Sequence, residues 1–203
     1  HTVTLEIKEE AFILAEIKLC PPEKTEDYRT VSAGYSEFDR YSGDPVIIQG
    51  EDAAVKTSNS LIPKSDNSPH LTPASPRNLV INYIGSGNWS TPGQVLTWKF
   101  NAPKTGLYKL GFKYKQSQLV NGISYRYLKI DGKTPFTEAR AIAFPYKTGW
   151  QISEYADNGE AYLFYLTEGS HELSLDVTMA DTAELYRRRK ERGTAIGKLY
   201  IQI

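Results

Sequence analysis

The 203-residue sequence holds one cysteine, Cys20, so no disulfide can close within the chain. No apolar run approaches the roughly 18 residues that a membrane helix needs, and no stretch reads as a signal peptide. An excess of either charge is missing too: 24 Lys and Arg balance 24 Asp and Glu. That balance excludes the basic face of a nucleic-acid binder and the acidic tail of a solvating segment. The one marked charge run, RRRKER over 187–192, reads as a solvated helix or linker. Catalytic signatures are absent: there is no GxSxG, no HExxH, no phosphate-binding loop and no zinc-spaced Cys/His cluster. Of the three histidines, His1 and His171 open strands and His70 lies in a proline-rich loop. A glycosidase needs two carboxylates facing across a cleft, about 5 to 9.5 Å apart, and an adjacent pair such as Glu51 and Asp52 is not that signal. The chain therefore reads as non-enzymatic.

What the sequence does have is aromatic side chains in quantity, 14 Tyr, 7 Phe and 3 Trp, and alternation with period two. That period marks strands with one buried face. It predicts strands at 1–8, 12–19, 45–50, 80–84, 94–101, 106–115, 125–130, 161–166, 171–178 and 197–203. Proline at 21 and 22 stops the second of these. Residues 23–45 read as a linker or wrapped connection with a short helix near Tyr28, and 58–76 as a long Ser/Pro/Asn loop. One convincing helix is expected, at 182–192. Many short strands joined by Gly/Pro turns predict an all-β fold, a jelly-roll β-sandwich with one short helix near the C-terminus.

The ends of the chain echo one another: "HTVTLEIKEEAFILAEIKL" has the same order of features as "HELSLDVT" plus "IGKLYIQI". Residues 1–20 are then either the last hairpin of a preceding related domain or a hairpin of the present sandwich. Residues 21–45 are the linker and 46–203 the sandwich. The start at "HTVTLEIK", without Met, reads as a fragment of a longer protein.

Aromatic residues outside the strand pattern are the best site candidates. Sugar rings present apolar C–H faces, and a flat aromatic ring offers matching area at little entropic cost. Trp89 in "GSGNWSTPG" and Trp150 in "PYKTGWQ" read as loop or loop-edge residues, whereas Trp98 in "LTWKF" alternates within a strand and reads as packed. Taken alone, Trp150 reads as a hydrophobic lid on one end of the sandwich.

Several stretches in order resemble carbohydrate-binding modules of families six and thirty-five: "VIIQGEDAA" (46–54), "NYIGSGNW" (82–89), "FNAPKTGLYKLGFKYKQ" (100–116), "KTGWQ" (147–151) and "LTEGSHELSLDV" (166–177). "YSGDPVIIQGEDA", "SLIPKSDNSP", "YLKIDGKTPFTEA" and "FPYKTGW" are similar to accessory domains of extracellular solute-binding lipoproteins that serve bacterial carbohydrate ABC transporters. The resemblance implies a galactose-binding-like fold and a carbohydrate partner, with Trp150 and Tyr83 flanking the sugar and Trp89, Gln116 and Tyr146 nearby. It also implies neighbouring domains in a larger chain and a place at the bacterial cell surface. The Asn that such modules keep on the final strand has no counterpart near Gly197. Gln49 and Glu51 match the opening ligands of the family's structural Ca²⁺. The last strand, "GKLYIQI", offers no Asp, which leaves backbone carbonyls or Asp176 to complete the site. The competing reading is a structural spacer or protein-interaction sandwich with no glycan of its own.

Overall fold

The computed structural model describes residues 24–75 and 77–179. The expected hairpin at 1–20, the helix at 182–192 with its charge run, and the strand at 197–203 lie outside them. Among the described residues, four two-stranded pairs and one five-stranded sheet account for the strands. β1 (Val55–Lys56), β2 (Pro63–Lys64) and β3 (Tyr83–Ile84) are two-residue strands, and β4 spans Val95–Ala102. β5 (Gly106–Lys109), β6 (Gly111–Gln116), β7 (Ile123–Ile130), β8 (Ile142–Pro145) and β9 (Lys147–Glu154) follow. The short hairpin of β10 (Ala156–Asp157) and β11 (Glu160–Ala161) precedes β12 (Leu163–Leu166) and β13 (Gly169–Thr178).

One layer is a five-stranded sheet in the order β1-β4-β13-β7-β8, with all its pairs antiparallel. Its register follows from alternation. Leu175 of β13 lies between Leu96 of β4 and Leu128 of β7, and Leu173 lies between Trp98 and Ile130. A slip by one residue would turn this whole row to solvent. The facing layer is built from β5–β12 and β6–β9, two ribbons that join where the Tyr155 amide donates to the Leu110 carbonyl. The strand expected at 106–115 is thus broken at Leu110. Leu96, Leu128, Leu61 and Phe136 are the largest side chains closed off completely between the layers.

Turn chemistry sets two hairpins. Asp131 and Gly132 both take positive φ, 50° and 74°, and Ile130 and Lys133 exchange both backbone hydrogen bonds across them. Asn158 and Gly159 do the same between β10 and β11, at 48° and 86°. Mirror-image two-residue turns of this kind favour Asx-Gly because both central residues need φ > 0.

Residues 24–41, expected as a linker or wrapped connection with a short helix near Tyr28, wrap onto the sandwich. The helix α1 (Tyr28–Ser32) is capped by Asp27, whose carboxylate accepts from the Thr30 amide. Tyr28 then docks: its hydroxyl accepts from the Leu163 amide, and its amide donates to the Glu138 carboxylate. Further on, Leu107 donates to Asp39 and accepts from Tyr41, a bridge that covers the free edge of β5. Gly106 permits this approach, since a Cβ there would stand 2.9 Å from the Asp39 carbonyl. The strand expected at 45–50 does not form a ladder. That stretch ends in a 3₁₀ turn at Gly50–Asp52, and the Gly50 carbonyl accepts from the Trp98 indole. Among the described residues no helix is long and apolar enough to cross a membrane.

Candidate functional site

Trp150 is not in a loop. It stands inside β9, which pairs with β6 through Tyr114 with Gln151 and Lys113 with Ile152. An irregularity opposite Lys115 absorbs the turn-like Lys147-Thr148-Gly149, which is why the stretch reads as a loop by composition. Alternation turns Tyr114 toward the core and Lys113 and Lys115 outward. Trp150 and Ile152 take the outer face with the lysines, and Trp150 is half-buried there while Ile152 is exposed.

The segment after β2 folds over this outer face. The Lys113 ammonium donates to the His70 carbonyl at 2.8 Å, and Lys115 pairs with Asp66 at 3.3 Å. The Trp150 indole N–H donates to the same Asp66 Oδ2 at 3.1 Å. Asp66 Oδ1 accepts from the Ser68 amide at 2.8 Å. That amide, followed by the Trp150 indole and Lys115, holds the carboxyl below the usual carboxylate range against the opposing pull of burial. Asn82, buried to 5% exposure, pins the segment: its carbonyl accepts from the Asp66 amide, and its amide donates to the Asp66 and Pro73 carbonyls. The next residue, Tyr83, presents its ring 5.6 Å from that of Trp150 at 65°, and the Lys115 ammonium lies 5.9 Å from the Trp150 ring centre. The result is a half-exposed aromatic pair, rimmed by one carboxylate and one ammonium.

The remaining expected site residues lie apart from this pair or are spent on the fold. Trp89 follows a 3₁₀ turn at Ser86–Asn88, donates its indole N–H to the Gln94 carbonyl, and packs edge-on to Trp98 at 6.5 Å. The Arg126 guanidinium covers its ring at 4.3 Å and donates to its carbonyl, and burial pushes Arg126 down to about 10 against the pull of Asp176. Gln116 is 8% exposed, and its amide group makes four bonds with residues 118, 119 and 122. It builds the turn between β6 and β7, so its polar atoms are consumed there. Tyr146 is half-buried beside that turn, its amide donating to the Gly122 carbonyl. Asp66 and Lys115 went unseen in the sequence. The Asp-Asn-Ser-Pro run signals an Asx turn, but nothing local foretells a bond to a residue 84 positions on.

For a cation, Glu51 supplies one feature that fits. Its Oε2 is buried without a hydrogen-bond partner, and burial, with Asp52 beside it, raises its carboxyl above the ordinary range. Calcium takes six to eight oxygens, and among the described residues no three His, Cys, Asp or Glu side chains gather to hold a metal. The Asp176 carboxylate accepts from the Gly93 amide at 3.2 Å.

No protein-family profile matches the chain, and no curated protein matches it in sequence. Among solved structures it is similar to a family 35 carbohydrate-binding module from Clostridium thermocellum, at 20% identity over 68% of this chain and 90% of that one, with a TM-score of 0.49. A family 35 module from an environmental isolate aligns at 16% identity over 66% of this chain and 85% of that one, with a TM-score of 0.43. A Paenibacillus cycloisomaltooligosaccharide glucanotransferase, complexed with cycloisomaltoheptaose, aligns at 16% identity over 75% of this chain and 21% of that one, with a TM-score of 0.47.

Proposed function

We propose that this β-sandwich is a non-catalytic carbohydrate-binding domain, with Trp150 and Tyr83 as the aromatic platform and Asp66 and Lys115 as its polar rim. The observation that carries the reading is the placement of Trp150. It stands on an outer sheet face, partly exposed, fixed by Tyr83, Asp66 and Lys115. A packing tryptophan in this molecule looks different: Trp98 is 6% exposed and sits in the core. A sugar's C–H face would lie on the rings, and its hydroxyls would reach the carboxylate and ammonium. The likeness of "NYIGSGNW" and "KTGWQ" to carbohydrate-binding modules points to the same two aromatic residues. Within the same reading, the domain serves an extracellular sugar-uptake protein of a bacterial envelope, and Gln49 and Glu51 contribute to a Ca²⁺ site.

Binding at so open a face is weak, because little of the ligand is buried and many hydroxyls are desolvated. Titration with soluble oligosaccharides, with a glycan array to choose them, tests the reading. Saturable binding by the wild type that Trp150→Ala loses is the expected result. Equal binding by wild type and Trp150→Ala would place the sugar elsewhere or nowhere.

A further inference from the structure

Asp66 has a second side. With Ser65, Asn67, Ser75 and Asn78, and with apolar Pro69 and Val80, it lines a cleft of about 150 Å³. Three observations bear on its use. Ser65 Oγ is buried and has no hydrogen-bond partner, and a buried hydroxyl left unpaired in a native fold calls for an explanation. Ser75 Oγ already accepts from the Asn78 amide at 3.0 Å, which leaves its own O–H to donate. The inner wall is rigid, because every polar atom of the Asn82 side chain is engaged with Asp66 or Pro73. The cleft is thus preformed, and its accessible lining is mostly apolar with hydroxyl and amide groups set within it, a mixture that matches the C–H faces and hydroxyls of a sugar ring.

Size decides the kind of occupant. Pockets for drug-sized ligands begin at about 300 Å³, and this one is half that. It suits a single small ring and not a peptide or a nucleotide. We infer that this cleft is a second subsite, taking one neutral sugar residue of an oligosaccharide whose next residue lies on the Trp150–Tyr83 platform. Asp66 is the wall the two places share: it lines the cleft and accepts from the Trp150 indole. Its ionised carboxylate disfavours a uronate or phosphate in the cleft, and the ammonium that answers it, Lys115, is not among the groups lining the cleft. The inference rests on the carbohydrate reading above and adds a chain-length requirement and a neutral-ligand preference to it.

The test is calorimetric titration of neutral gluco-, manno- and galacto-oligosaccharides, from monosaccharide to tetrasaccharide, against the wild type, Ala74→Leu, Ser65→Ala and Trp150→Ala. Ala74 also lines the cleft and is exposed, so leucine there fills space without entering the core. The wild type is expected to bind a disaccharide about tenfold more tightly than a monosaccharide. Ala74→Leu should erase that gain and leave monosaccharide binding unchanged; Ser65→Ala should reduce it. Trp150→Ala should lose both. If Ala74→Leu and Ser65→Ala bind every length as the wild type does, the subsite is refuted while the platform stands. If Trp150→Ala binds normally and Ala74→Leu does not, the platform is refuted and the cleft is the site. If no sugar binds the wild type, both are refuted.

Discussion

Two aromatic clusters in this molecule use similar side chains toward opposite ends. Phe136 is fully enclosed, with Tyr28, Tyr162, Phe164 and Tyr155 at 4.9, 5.2, 5.2 and 6.4 Å. The polar end of Tyr28 is satisfied internally, its hydroxyl accepting from Leu163. The Trp150–Tyr83 pair has one ring contact, one carboxylate on the Trp150 indole and one nearby ammonium, and both rings stay partly exposed. Aromatic content alone does not separate the two. What separates them is whether other rings or charged groups complete the surroundings, since a ring closed by rings has no surface left to offer a ligand.

The sharpest way to break the comparison is to empty the first cluster. Phe136→Ala should cost about 3–5 kcal/mol of stability, read as a lowered urea midpoint, with oligosaccharide affinity of the folded fraction unchanged. A loss below about 1 kcal/mol would mean that the cluster is no more a core than the Trp150 face.

The sandwich was legible because alternation carried it: Leu96, Trp98, Leu128, Leu173 and Leu175 follow strict period two, and β4, β7 and β13 lie within two residues of their expected bounds. The wrapped connection and its short helix near Tyr28 were among the expectations, but where they dock was not legible, because the contacts are long-range. Tyr28 meets Glu138 and Leu163 more than a hundred residues away, and polar composition hides that docking. Composition also misplaced β9. Lys-Thr-Gly before Trp150 has turn chemistry, and only the irregular pairing with β6 shows it as strand. Tyr83 and Trp150 were named from resemblance, and the fold brings them into contact. Gln116 was named with them and instead builds a turn. Asp66 was out of reach of any local pattern.

Emptying the second cluster should reverse the outcome. Trp150→Ala should lower oligosaccharide affinity at least tenfold, about 1.4 kcal/mol or more, while stability falls less than in Phe136→Ala, because the ring is half-exposed to begin with. A midpoint loss as large as that of Phe136→Ala would make the two clusters alike and the platform a piece of core.

A smaller effect is expected at a third place, where a buried histidine pairs with a half-exposed carboxylate. His171, 7% exposed, bonds Asp131 at 2.7 Å through Nδ1 and the Thr167 carbonyl at 2.8 Å through Nε2. Burial lowers its pKa, but these two bonds outweigh burial and leave it raised. For Asp131, burial raises the pKa and the Glu172 amide and His171 prevail to lower it. The His171 contribution is therefore present below the ordinary value of 6.5 and lost as pH rises through its raised value. The Asp131 contribution is present above 3.8 and lost as pH falls through its lowered value. Stability owed to the pair is greatest between those ordinary values. Asp131→Asn should cost about 1 kcal/mol there, with a smaller loss once the pH has risen past the raised value of His171. A pH-independent loss would remove the ion-pair interpretation.

The smallest effect belongs to Glu51, and its sign is the informative part. Burial, then Asp52, raises its carboxyl while its own backbone amide opposes them. A raised acid binds its proton more tightly when folded, so its contribution to stability falls as pH rises through that value. At neutral pH its buried, unpartnered oxygen is then a penalty. Glu51→Gln should raise the thermal midpoint slightly at pH 7 in the presence of a chelator and leave it unmoved at acid pH. Calcium should reverse the order if Glu51 helps to hold it: the wild-type midpoint rises on adding the ion, and that of the variant does not. Equal midpoints with and without calcium in both proteins would leave Glu51 an acid with one buried oxygen, closer in kind to the Phe136 cluster than to the Trp150 face.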